Sequence, residues 1–476
     1  MVSLPPALSA RWPHLLLALL LLAALSPRAV PAPLVRSVQA GAVALEGRHP
    51  EVALAHFEQA LAVEPVTGAL HVLAALAAQR AADPVAALAH LEAAGRQLGD
   101  DPSRACLHGL LLLETGDLEA AVQRWRQAES VCLRDPAVLE AYADAARKAG
   151  DLAQALEAAT AWSLAAPGAA AAWRARGLLE AAAGSEQASG SLRLALELAP
   201  APDRLALDVL DVLRQAASDG PPAYLRAQVG QALARAGEWE LAAQAFEQAL
   251  ALEPDYLEAR GYLGLALDRL GGDGLPHLLE AAQAAPEAAL PHLLLGMHWR
   301  RHGRPQTALD ELRVAARLDP DHPAIAAEIG AVYEDLGDAA TALQAYRVAA
   351  ALAPDDPGFW LLLAEASLEH EIEVSTLGVP AARNAAALRP EAPALAALGY
   401  AHLLTGEAIL AERLITRAAA LDPGLPAAQY RLGLLRLLQG RAPEARRALE
   451  AAVALDPAGP IGLRAARTLG ALPAPP

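Results

Sequence analysis

The chain alternates helix-length, apolar-periodic segments with short breaks, and the breaks recur on a fixed beat. A Leu-x-Pro tripeptide returns at Leu252-Glu253-Pro254, Leu318-Asp319-Pro320, Leu352-Ala353-Pro354, Leu388-Arg389-Pro390, Leu421-Asp422-Pro423 and Leu455-Asp456-Pro457, several of its prolines 34 residues apart. Gly230, Gly264, Gly296, Gly330, Gly399 and Gly433 keep nearly the same period. A second glycine follows each of them seven residues later, at Gly237, Gly271, Gly303, Gly337, Gly406 and Gly440.

The chemistry of these marks predicts a helix, a turn and a second helix in every unit. The first glycine lies inside a helical segment, where it costs about 1 kcal/mol relative to alanine, so its recurrence points to close approach of a neighbouring helix. The second glycine ends that helix and permits a left-handed turn. The next helix carries small residues at Ala242, Ala308, Ala342, Ala411 and Ala445, then larger ones at Phe246, Leu312, Tyr346, Ile415 and Leu449. Proline stops it, having no amide hydrogen and restricting the residue before it.

The segment Val229-Gly230, Gly237, Ala242, Phe246, Ala249, Pro254 resembles the tetratricopeptide repeat, as do Leu295-Gly296, Trp299, Gly303, Ala308, Ala315, Pro320 and Ile329-Gly330, Tyr333, Gly337, Ala342, Tyr346, Ala349, Pro354. The resemblance implies an all-α fold, a right-handed α-solenoid of about twelve helix-turn-helix units whose stacked faces form one continuous core.

The N-terminal half keeps the pattern loosely: Gly41, Ala53, Phe57, Ala60 and Pro65 make one good unit, and weaker ones end near Pro102, Pro136, Pro167 and Pro200. From Pro200 to Pro254 is 54 residues, one unit and a surplus. The surplus holds an apolar run from Leu205 to Leu213 and then Gly220-Pro221-Pro222, read as an unpaired joint helix. The expected division is a degenerate array over 34–202, a joint over 203–222, a second array over 223–459, and a terminal helix and tail over 460–476. Five units precede the joint and seven follow it.

Composition agrees with helices: 54% of the chain is apolar but only 4% aromatic, so alanine and leucine carry the apolar content. A formal charge of -17 argues against nucleic acid as partner, because that affinity rests on clustered Lys and Arg. An acidic surface prefers neutral or basic partners.

Arg11 precedes an apolar run from Leu15 to Leu25, and prolines follow at Pro27, Pro31 and Pro33. This is the three-part form of an export signal, so residues 1–29 are expected to be a signal peptide or, uncleaved, a signal anchor. As a helix the run would span about 16 Å, short of the ~30 Å hydrocarbon layer. The rest of the chain is expected outside the cytoplasm: periplasmic, in the cell envelope or secreted. Cys106 and Cys132, near the start of a first helix and the end of its antiparallel second helix, are candidates for a disulfide there, with two buried thiols as the alternative.

In the resembling family, positions 2, 5, 9 and 12 of each unit tend to face the concave groove, which here selects Tyr224, Leu293, Met297, Ala396, Tyr400 and Leu403 among others. In the last unit it selects Tyr430, Leu434 and Leu437, so the C-terminal groove reads apolar and aromatic. The alternative is that Tyr400, Tyr430, Leu434 and Leu437 pack against the terminal helix. The family's carboxylate clamp needs Lys and Asn, and Lys148 and Asn384 are the chain's only ones. A protein or peptide with an apolar or basic segment is therefore the expected partner, and no cofactor is expected.

His298 and His302, four apart on a first helix, could share a face as a metal site needs, with His292 and His277 upstream. No carboxylate lies between them, and they are expected to be exposed and non-ligating. Glu369, Glu371 and Glu373 around His370 are expected to be solvated acids, in a unit stretched to 36 residues between Pro354 and Pro390. No phosphate loop, nucleophile elbow or zinc-protease motif is present. The reading is a non-enzymatic exported scaffold that binds another protein in assembly of an envelope or secreted complex. A metal-dependent enzyme built on His298 and His302 and a purely structural spacer are the alternatives.

Overall fold

The computed structural model describes residues 31–64, 67–99, 101–128 and 132–472; the expected export segment, 1–29, lies outside them. The described residues form 26 α-helices and one π-turn, without a strand. They fall into two compact units, the first running to Gly272 and the second starting at Asp273.

In the first unit five helix pairs follow one another. They are α1 (Ala32–Glu46) with α2 (Pro50–Val63), α3 (Gly68–Arg80) with α4 (Pro84–Leu98), and α5 (Pro102–Glu114) with α6 (Leu118–Gln127). Then come α7 (Pro136–Lys148) with α8 (Leu152–Ala165), and α9 (Ala170–Ala183) with α10 (Ala188–Leu198). The joint helix α11 (Arg204–Asp219), the pair α12 (Pro222–Arg235) and α13 (Trp239–Leu252), and α14 (Leu257–Arg269) complete it.

The second unit begins with α15 (Leu275–Ala284) and continues in pairs: α16 (Ala289–Arg301) with α17 (Pro305–Leu318), α18 (Pro323–Asp335) with α19 (Ala339–Leu352), and α20 (Pro357–Glu369) with α21 (Val379–Leu388). The pairs α22 (Ala392–Leu404) with α23 (Ala408–Leu421) and α24 (Pro426–Leu438) with α25 (Ala442–Leu455) follow, then the terminal helix α26 (Pro460–Gly470). The π-turn Val374–Gly378 explains the stretched unit, because it replaces the usual tight turn between α20 and α21.

The packing within a pair follows from the two glycines. A Cβ on Gly230 would sit 2.7 Å from the Phe246 ring, so only glycine lets that ring lie flat on α12. Gly237 adopts φ +81°, the left-handed geometry that turns the chain from α12 into α13. Ala242, Ala308, Ala342, Ala411 and Ala445 are fully buried where the paired helices cross.

Helix α11 breaks the beat. It packs against α10 and α12, and the following helix α13 turns back onto α9. Asp203 fixes its start: one carboxylate oxygen accepts the Ala206 amide at 3.1 Å, and the other accepts from Arg174 Nε at 2.6 Å. Cap and ion pair together tie the joint helix to α9.

Candidate functional site

The fold-back of α13 builds a cavity of about 280 Å³ in the first unit. Three helices and one residue of a fourth line it: α7, α9, the start of α13, and Trp162 of α8. Its floor is apolar, with Trp162, Leu178, Leu179 and Leu241 all buried. Its wall carries Glu140, Asp144 and Arg147 from α7, Arg174 from α9, and Glu238.

The wall is held by charge-assisted hydrogen bonds. Arg147 Nη1 donates to Glu238 Oε2 at 3.2 Å and to Glu240 Oε2 at 3.1 Å, and Nη2 donates to Asp144 Oδ1 at 3.2 Å. Lys148 Nζ approaches the other Asp144 oxygen at 2.7 Å. Arg174, besides its bond to Asp203, lies 3.9 Å from Glu238. These side chains are a quarter to a half exposed, so each pair is worth little alone; the network fixes where the α13 start rests on α7 and α9.

Six of the lining residues fall on the groove positions of two successive repeats. Counted from Pro136 and Ala170, Glu140, Asp144 and Arg147 are positions 5, 9 and 12, and Ala171, Arg174 and Leu178 are positions 2, 5 and 9. The offset rule applied to the degenerate half would have selected them. Glu238 and Leu241, from a repeat beyond the joint, carried no such signal.

The residues chosen in the C-terminal half lie differently. Leu293 and Ala396 are buried in core clusters, and Met297 packs on Leu309 and its neighbours. Tyr430 and Leu437 pack against Leu449, Ala452 and Ala465, the last on α26, and Leu403 packs against Ile415 and Leu435. Leu434 is half-buried. Tyr224, in the first unit, is exposed.

Tyr400 is covered by the Arg431 guanidinium, 5.2 Å from its ring, while burial and neighbouring Tyr430 push its phenol above the usual range. Arg431 is itself buried and donates to Glu365 on α20, and Arg464 on α26 donates to Glu369. Ion pairs thus run between helices beside these partly exposed side chains.

The histidine pair departs from expectation in one respect. His298 is buried, not exposed, and packs edge-on against Trp299 with ring centroids 4.8 Å apart, while His302 is exposed. The two imidazole centroids lie 4.3 Å apart, so the four-residue spacing does bring them together. His292 turns instead to Glu311, Nδ1 to Oε2 2.7 Å, and His277 sits on α15. Around the π-turn, Glu371 and Glu373 are exposed with φ of 53° and 52°, Glu369 meets Arg464, and His370 lies 3.7 Å from Glu334.

Cys106 and Cys132 are disulfide-bonded, joining α5 to the segment that follows α6. Trp125 donates to the Cys106 carbonyl at 3.1 Å beside the bond. No helix among the described residues is long and apolar enough to cross a membrane.

Residues 229–271, 272–323 and 397–460 match the family model described as tetratricopeptide repeat. No curated protein matches the chain. Among solved structures the chain is similar to one titled as the APC/C hetero-tetramer Cut9-Hcn1, at 13% identity over 93% of this chain and 97% of that one, with a TM-score of 0.41. Yeast Tom70 is similar at 15% identity over 85% and 95%, with a TM-score of 0.40. A thermophilic protein of the same repeat type from Thermus thermophilus is similar at 24% identity over 38% of this chain and 99% of that one, with a TM-score of 0.33. Residues 229–323 and 397–460 thus carry tetratricopeptide repeats, the repeat of protein–protein interaction scaffolds, and the glycine-seated side chains and the all-helical architecture of the described residues agree with that reading.

Proposed function

We propose that this chain is an exported scaffold that holds another envelope or secreted protein by a segment laid along its first helices, anchored at the α7–α9–α13 cavity. The carrying observation is that groove positions of two successive repeats converge on one cavity with an apolar floor and a charged wall. Apolar area supplies affinity and the few polar groups fix register, the division of labour usual in binding pockets. A segment carrying apolar or basic residues suits the wall and the formal charge of -17.

Export is supported by the apolar run Leu15 to Leu25 and by the Cys106–Cys132 bond, since disulfides persist in oxidising compartments. Fractionation of cells expressing the full chain should place it outside the cytoplasm, and deletion of residues 1–29 should return it there in folded form. Cytoplasmic residence of the full chain would overturn export.

The scaffold reading is tested by crosslinking in the native envelope followed by titration of the recovered partner against purified protein. Ala175 lines the cavity and takes part in none of its ion pairs, so Ala175→Trp should fill the cavity and abolish saturable binding while leaving helicity unchanged. Retained binding to this variant would place the site elsewhere.

A further inference from the structure

We infer that the α7–α9–α13 cavity receives a single cationic side chain, arginine or lysine, from the partner's segment, with Glu140 as its principal counter-charge; this rests on the scaffold reading above. The wall places Glu140, Asp144 and Glu238 against Arg147 and Arg174. Both arginines are already engaged, Arg147 by Asp144, Glu238 and Glu240, and Arg174 by Asp203. A carboxylate from a ligand would have to compete for either arginine with the carboxylates already paired to it. Glu140 is exposed at the mouth and makes no ion pair among the described residues.

The lining thus carries three carboxylates, Glu140, Asp144 and Glu238, against two arginines that are already paired, beside a floor of tryptophan and leucine. That pairing of surfaces matches a long basic side chain, whose methylenes lie on apolar surface while its charged head reaches a carboxylate. A volume of about 280 Å³ falls below the ~300–1,000 Å³ of small-molecule sites, room for one side chain with its backbone outside. Asp144 and Glu238 lie near the same head group but are shared with Arg147, which leaves Glu140 as the discriminating residue.

The probe is a fluorescein-labelled extended peptide of alanine, leucine and glycine with one central arginine, titrated against the full chain by anisotropy. Counterparts carry norleucine or glutamate at that place. The arginine peptide should bind at least about tenfold more tightly than the norleucine peptide, the glutamate peptide should bind more weakly still, and the preference should shrink as salt is raised. Glu140→Gln should remove most of the arginine preference, with an unchanged circular dichroism spectrum and melting temperature, and Ala175→Trp should abolish binding.

Equal binding of the arginine and norleucine peptides, blocked by Ala175→Trp, would overturn the charge assignment and leave the anchoring role of the cavity standing. Arginine-dependent binding that survives Ala175→Trp would overturn the location. An arginine preference undiminished by Glu140→Gln would overturn the role of Glu140. Failure of every peptide to bind at millimolar concentration would overturn the inference outright, whereas the scaffold reading is decided separately by the recovered partner.

Discussion

Arg147 and Glu238 stand 91 residues apart in the chain and meet at 3.2 Å, Nη1 donating to Oε2. The contact closes a repeat of the degenerate half onto one beyond the joint. Arg147→Ala would leave Asp144, Glu238 and Glu240 facing one another without their shared cation. Because these groups are partly exposed, the expected loss is modest, about 1–2 kcal/mol in urea unfolding, and Arg147→Lys should restore only part of it. A variant as stable as the wild type would show that the network positions nothing.

Gly230→Ala introduces a methyl group 2.7 Å from the Phe246 ring. The gain in helix propensity of about 1 kcal/mol is opposed by overpacking of about 1–3 kcal/mol, so net destabilisation is expected by thermal melting. Combining it with Phe246→Leu should recover part of the loss, since the smaller side chain can yield. An additive double variant would argue against direct contact as the cause.

The Cys106–Cys132 bond closes a loop of 26 residues. Loop closure of that size gives about 3 kcal/mol of stabilisation in the chain-entropy model. The replacement of both cysteines by alanine should lower stability by that order, and the wild type should migrate faster on non-reducing gels than on reducing ones. Two titratable thiols in protein purified from an oxidising compartment would refute the bond.

His90 is held below the ordinary histidine range first by burial and then by His71, whose Nδ1 lies 3.1 Å from its own. His108 is lowered by burial and by Arg124. A depressed base binds fewer protons in the folded chain than in the unfolded one, so stability rises with pH between the lowered value and about 6.5. Acidification from neutral pH to about 5 should therefore lower the melting temperature, and His90→Gln with His108→Gln should lose less over the same interval. Equal losses in both proteins would assign the acid sensitivity to other groups.

Tyr430→Ala removes a ring packed on Leu449, Ala452 and Ala465, so loss of stability by about 1–3 kcal/mol is expected, with α26 the first element to gain amide exchange. Tyr400→Ala should also cost stability, through the lost contact with Arg431. If either change weakened binding of an identified partner without altering amide exchange in α26, the C-terminal face would be a contact surface after all.

The repeat was legible because its determinants are local: a glycine and the large side chain it seats lie sixteen residues apart, as Gly230 and Phe246 or Gly296 and Leu312 do, and each proline follows the end of its own helix. The disulfide was within reach for the same reason. What spacing could not show is how side chains one position away from the groove stripe behave. Arg431 lies over the Tyr400 ring and crosses to Glu365 on a helix two pairs back, a contact the stripe does not encode. The burial of His298 likewise depends on which face of α16 is covered, which the four-residue spacing does not encode. The α7–α9–α13 cavity was half legible: the offsets name its α7 and α9 residues, while Glu238 and Leu241 arrive only because α11 turns α13 back.

Helix α11, sixteen residues long, acts as a register gauge for everything that follows it in the first unit. Each residue added to or removed from it would rotate the chain beyond by about 100° and shift it by ~1.5 Å, carrying Glu238 away from Arg147. The α7–α9–α13 cavity can thus be reshaped by changing the length of one helix that contributes nothing to its lining, leaving every residue on its wall and floor as it is. A protein of this kind can acquire or lose a ligand by insertion and deletion in a spacer, a route of divergence that comparison of lining residues alone would miss.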